Sequence, residues 1–184
     1  CTGVGFTFSN AGASRATRCI ATGCGSFGFT LATNDVSCIE CTATGNGDDG
    51  FNVVSGNQNC LLTSCLSTGN IGRGFDGGSG ANTSTLCINC AAQGNSLADH
   101  TFTSAEVFGF VSLSVDPFVN AAGQNFSLNG MAGGGDAAGG SGWPGAFRGL
   151  STTGYPAIGA VQPDYATALR NAGRRVGPGG QKVA

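Results

Sequence analysis

Apolar and polar positions alternate along this chain in short runs, such as FTFS at 6–9, FTLA at 29–32 and FNVV at 51–54. A period of two over three or four residues predicts strands, because successive strand side chains point to opposite faces. Glycine interrupts the chain too often for amphipathic helices of ten or more residues. Leu at the fixed offsets of a leucine-rich repeat is also absent.

The runs recur. Four segments end alike: CTGVGF (1–6), CGSFGF (24–29), NGDDGF (46–51) and NIGRGF (70–75). They place Phe6, Phe29, Phe51 and Phe75 at steps of 23, 22 and 24 residues. A second column, in RCIATG, ECTATG, SCLSTG and NCAAQG, runs through Cys19, Cys41, Cys65 and Cys90 at steps of 22, 24 and 25. Two columns with one period predict an all-β fold, a right-handed parallel β-helix of about 22–25 residues per coil. Equivalent residues then lie about 4.8 Å apart, so like residues form ladders. The Phe and Cys columns are predicted to be internal stacks. Gly45-Asn46, Gly69-Asn70 and Gly94-Asn95 align as a turn ladder, with Asn in the left-handed conformation and bonded to the Asn of the next coil. Cys1 and Cys24 stand in that place in the first two coils. Arg18 falls above Glu40 in an outward column continued by Ser64 and Asn89, and Asp49 falls above Arg73.

Composition sharpens this picture. Charged residues are 10% of the 184, well under the roughly 25% of ordinary domains, and Gly numbers 34. The net charge of −2 argues against a nucleic-acid-binding surface. No apolar run is long enough to cross a bilayer as a helix. Cys1 enters in mid-coil with no signal peptide before it, which suggests a fragment or cleavage product of a longer protein.

Nine cysteines, with CxxC spacing in CIEC (38–41) and CINC (87–90), raise metal ligation and disulfides as readings. Both pairs lack the Gly or Pro of a zinc knuckle and recur with the repeat. Buried thiols acting as small apolar residues are the favoured reading. So many unbridged thiols favour folding in a reducing compartment.

From about residue 103 the repeat loosens. DPFVNAAGQNFSLN (116–129) resembles the closing motif of bacterial right-handed β-helix proteins, and GWPGAFRGLSTTGYPAIGAVQ (142–162) resembles their finishing strand. The resemblance is to the pectate-lyase-like superfamily. It implies the fold, but a family of lyases, hydrolases, epimerases, surface proteins and phage tail spikes does not fix an activity. Three regions are expected: coils over 1–102, last coils and cap over 103–162, and a basic tail over 163–184. Phe118, Phe126, Leu128, Trp143 and Phe147 are expected to form a lid on the open strand edge and apolar cross-section of the last coil. The tail holds Arg170, Arg174, Arg175 and Lys182, half of the eight basic residues, and a short helix capped by Asp164. It is expected to bind a partner subunit, or else to lie along its own solenoid.

For chemistry, the resemblance to polygalacturonases points to Asp48 and Asp49 in NGDDGF, although the Asn-Thr-Asp, Gly-His-Gly and Arg-Ile-Lys elements are absent. If 96–102 carries a two-residue insertion, His100 joins Asp49 and Arg73 in one column with Asp76 and Asp99 near, a set suited to a general base or to binding a metal. No metal or other cofactor is called for. Calcium between Asp48, Asp49 and Asp76 is the weak exception. Trp143 and Tyr155 are candidates for stacking on sugar rings, and the glycine-rich stretch 133–140 reads as loop. The sequence leads to a non-catalytic structural and interaction module, set in a phage or virion appendage or on a bacterial surface. It is expected to be a homo-oligomer or to bind an assembly partner through cap and tail, and a polysaccharide is a further partner. A polysaccharide lyase or glycoside hydrolase is the alternative, and a carbohydrate-binding module the third reading.

Overall fold

The computed structural model describes residues 1–140 apart from residue 11 and the segments 79–83 and 103–105. These residues wind into a parallel β-solenoid of about four turns. Four coils each supply one short strand to each of three parallel sheets, and a fifth adds a strand to the second and third. The first sheet holds β1 (Phe6–Phe8), β4 (Phe29–Leu31), β7 (Phe51–Val53) and β10 (Phe75–Asp76). The second holds β2 (Ser14–Thr17), β5 (Val36–Ile39), β8 (Leu61–Thr63), β11 (Leu86–Ile88) and β13 (Val107–Phe108). The third holds β3 (Ile20–Thr22), β6 (Thr42–Thr44), β9 (Leu66–Thr68), β12 (Ala91–Gln93) and β14 (Val111–Ser112).

Register delivers the predicted ladders. Phe6, Phe29, Phe51 and Phe75 pair in sequence, with ring centroids 4.8, 4.7 and 4.9 Å apart and planes within 7°. Those spacings exceed the roughly 3.5–4.0 Å of carbon–carbon contact, so the rings slip into the offset arrangement that their quadrupoles favour. The glycine before each Phe is sterically required. A Cβ on Gly28 would lie 2.6 Å from the Gly50 carbonyl and 2.9 Å from Asn46 Nδ2.

The turn ladder is real, but its parts are exchanged. Gly45, Gly69 and Gly94 take the left-handed backbone, with φ of 62°, 60° and 62°. Each following Asn points inward, where Asn46 and Asn70 are buried. The Asn46 amide N–H and Nδ2 both donate to Asn70 Oδ1, at 3.0 and 2.9 Å. Asn70 repeats the pattern on Asn95 Oδ1, at 3.1 and 2.8 Å. In the second coil the Cys24 N–H donates to Asn46 Oδ1 at 3.0 Å. The glycine absorbs the left-handed turn at no steric cost, which frees Asn to saturate buried groups of two coils.

The column before the cysteines also differs from a plain outward row. Arg18, Glu40, Ser64 and Asn89 are all left-handed, with φ of 54°, 52°, 51° and 50°. They form the corner between the second and third sheets, and the corner, not simple alternation, sets their direction. Ser64 is buried there, whereas Arg18 Nε reaches Glu40 Oε2 at 2.6 Å as predicted. Just inside the corner, Cys41, Cys65 and Cys90 are fully buried, and each S–H donates to the carbonyl two residues earlier at 3.4–3.5 Å. All nine cysteines are unbridged.

The closing segment forms an antiparallel hairpin, β15 (Phe118–Asn120) and β16 (Asn125–Leu128). Instead of only crossing the end, it lies along the flank of the solenoid. Phe118 and Phe126 join one apolar cluster with Leu66, Ala91 and Leu113, which face outward from the third sheet. That sheet has a second hydrophobic side, so its cover must run along it. Residues Gly135–Gly140, read as loop, form a short helix, α1, whose Ala138 is buried in the same cluster. Trp143 and Phe147 lie outside the described residues, as does the tail.

Replacing Asn70 by Ala strands the buried Asn46 N–H and removes the bond from Asn46 Nδ2 and those that Asn70 Nδ2 donates to the Ala43 carbonyl and Asn95 Oδ1. The expected loss is at least about 3 kcal/mol, read from urea unfolding, and the loss for Asn95→Ala at the less buried end is smaller.

Candidate functional site

The sequence-predicted chemistry falls on the start of the first sheet, where the turn after each Asn meets the Phe column. Asp49 is almost fully buried. Its Oδ1 accepts the Arg73 backbone N–H at 2.6 Å, and Asn52 Nδ2 donates to Oδ2 at 3.4 Å. Burial pushes its carboxyl above the ordinary carboxylate value, aided by the charges of Asp48 and Asp76, while the bonds from Arg73 and Asn52 oppose the shift. Asp49 does stand above Arg73, but the contact runs through the backbone. The Arg73 guanidinium turns instead to Asp76, with Nη1 to Oδ2 at 3.5 Å.

His100 is placed differently from expectation. No insertion intervenes, and His100 bridges Phe75 in parallel as the next member of the Phe column. Ala98, not His100, follows Asp49 and Arg73 in their column, since its carbonyl accepts the Gly74 N–H just as that of Arg73 accepts the Gly50 N–H. The ring of His100 lies 4.6 Å from Phe110 at 62°, and Phe110 meets Phe75 edge-on at 5.8 Å. Its Nδ1 is buried and has no hydrogen-bond partner among the described residues. The His100 ring therefore continues the aromatic filling and does not join a carboxylate.

One polar row was missed. Thr7, Thr30, Asn52 and Asp76 follow the four Phe residues by one position and stack in register on the outer face of the first sheet. Thr101 continues the row after His100, and its Oγ1 donates to Asp76 Oδ1 at 2.7 Å and accepts the Gly77 N–H at 2.9 Å. The signal was present as a polar residue after every member of the Phe column.

These contacts leave little for a ligand ion. Among the described residues no three His, Cys, Asp or Glu side chains group as metal ligands. For calcium, Asp49 Oδ1 and both oxygens of Asp76 already accept bonds within the chain. The thiols are apolar wall. Burial pushes Cys65 and Cys90 well above the ordinary thiol value, and Cys38 is pushed up first by its S–H bond with Cys41 and then by burial. Trp143, Tyr155, Arg170, Arg174, Arg175 and Lys182 lie outside the described residues.

Comparison with known proteins returns no match to a protein-family model, a curated protein or a solved structure. Among the described residues no helix is long and apolar enough to cross a membrane.

The two roles open to Asp49 predict different mutants. Asp49→Ala leaves the Arg73 N–H unsatisfied and is expected to cost about 1–3 kcal/mol. Asp49→Asn keeps an acceptor, removes a desolvated charge and is expected to fold with stability within about 1 kcal/mol of the parent at pH 7. Because the folded-state pKa of Asp49 is raised, its contribution to stability grows as pH falls through that value toward the ordinary one, and is lost as pH rises again. Thermal unfolding across pH 4–7 should show this rise in the parent and not in Asp49→Asn.

Proposed function

We propose that this chain is a non-catalytic structural and interaction module, a segment of a β-helical shaft belonging to a larger assembly. The observation that carries the reading is the use made of the groups that looked reactive. Asp49 bonds the backbone of the next coil, Asp76 is shared among Arg73, Thr101 and Gly78, and His100 fills the aromatic column. A hydrolytic pair needs two carboxylates free to meet a glycosidic bond, about 5–9.5 Å apart. Here the most buried carboxylate is spent on folding.

A phage or virion appendage, or a bacterial surface protein, is the setting this reading favours. Support comes from the charge-poor coils and from nine unbridged thiols, which suit folding in a reducing compartment before display. The right-handed winding and the tie to the pectate-lyase-like superfamily rest on the closing motif at 116–129 and belong to the same proposal. The row Thr7, Asn52, Asp76 and Thr101, interrupted by Thr30 with its buried hydroxyl, gives the first sheet a polar outer face suited to a polysaccharide. Such binding would not require cleavage.

Incubation with a panel of acidic and neutral polysaccharides is expected to leave their chain length unchanged by size-exclusion chromatography. Depolymerisation that disappears in both Asp49→Asn and His100→Ala would favour the lyase or hydrolase alternative.

A further inference from the structure

The three sheets present three different outer faces. That of the first is polar. That of the third is apolar, and Phe118, Phe126 and Ala138 cover it. The second sheet is also apolar outside, and its outer residues fall into two columns. One runs Arg15, Ser37, Leu61, Leu86 and Glu106; the other runs Thr17, Ile39, Thr63, Ile88 and Phe108. Arg15 is exposed and makes no ion pair among the described residues, Phe108 is 52% exposed, and Leu61, Leu86, Ile39 and Ile88 are half-buried. A contiguous apolar patch bounded by charge marks an association surface on a soluble chain.

We infer that this face is where a second copy of the chain docks, with the two solenoids antiparallel about a two-fold axis along the strand direction at β8. The charge pattern selects this arrangement. Such an axis reverses the order of the coils and keeps each column over itself. Arg15, at the first coil, then meets Glu106 of the partner subunit, four coil steps or about 19 Å away on its own chain. Ile39 meets Ile88 of the partner subunit, and Leu61 meets its own symmetry mate on the axis. A parallel pairing, with the axis along the solenoid, would reverse the strands and bring the two Arg15 side chains together at one level and the two Glu106 side chains at another, an arrangement that like charges oppose. The contact is isologous and closed, so it makes a dimer and not a filament. Five strands about 4.8 Å apart give a face of only a few hundred Å², which places the dimer in the weak class, with Kd of about 10–100 µM.

This deepens the reading of the chain as an assembly module by naming a surface and a partner. Sedimentation equilibrium of the full chain from about 1 to 500 µM, with reductant present to prevent bridging through the exposed Cys1, tests it. A reversible dimer is expected. Arg15→Glu and Glu106→Arg should each weaken it roughly tenfold, and the double variant should restore it. Leu61→Lys, a change on the outside of a strand, should give monomer with an unaltered far-ultraviolet circular dichroism spectrum. A monomer throughout the range overturns the inference, as does an association of any size that these variants leave untouched. A monomer that also leaves polysaccharides uncut sinks this inference alone, while cleavage by the chain sinks the module reading and leaves the association result standing.

Discussion

Everything in this fold depends on parallel strands stacking in register at one spacing. That spacing brings each residue to its counterpart on the next coil, about 4.8 Å away. A residue type therefore succeeds only if it can bind a copy of itself or of its replacement. Phe does so through offset rings. Asn does so because its carbonyl oxygen and amide complement those of the next Asn, with enough donors left for the neighbouring backbone. Cys does so as a small apolar group whose weak S–H finds a local carbonyl.

The same constraint redirects the ionisable groups. Opposite charges on adjacent coils were expected to pair side chain to side chain, and Arg18 with Glu40 does, on an exposed corner where the bond is worth well under ~1 kcal/mol. Deeper in, at Asp49, the unsatisfied Arg73 amide is the stronger claimant, because a buried N–H without a partner costs more than a surface ion pair returns. Burial and backbone satisfaction thus decide which bonds the carboxylate makes within the fold.

Much of this was legible because ladders repeat in sequence as they do in space. Phe, Cys and Asn columns at one period fixed the coil length and the register of the regular turns. What escaped was set by context that recurrence does not encode. Both Gly45 and Asn46 can adopt left-handed φ, and only the buried donors of two coils assign that conformation to the glycine. His100 was misplaced because an insertion was invoked to align it with charges, whereas NSLADH (95–100) matches NIGRGF residue for residue once His is accepted as a substitute for Phe. The flank-lying hairpin was missed because Ile20, Leu66, Ala91 and Val111, interrupted only by Thr42, form a mainly apolar column on the outside of the third sheet. That column becomes visible only after the inward column has been assigned.

Amide hydrogen exchange at Arg73, Asn46 and Asn70 tests most directly the claim that the reactive-looking and polar side chains are spent on holding coil to coil. These three N–H groups donate to side chains of the adjoining coil, at Asp49, Asn70 and Asn95. Exchange as slow as that of Phe51 and Leu66, whose N–H groups bond backbone carbonyls of the adjoining coil, is the predicted result. Fast exchange at Arg73, at the rate of a solvent-exposed amide, would mean that Asp49 is not committed to the fold, and the account would lose its basis.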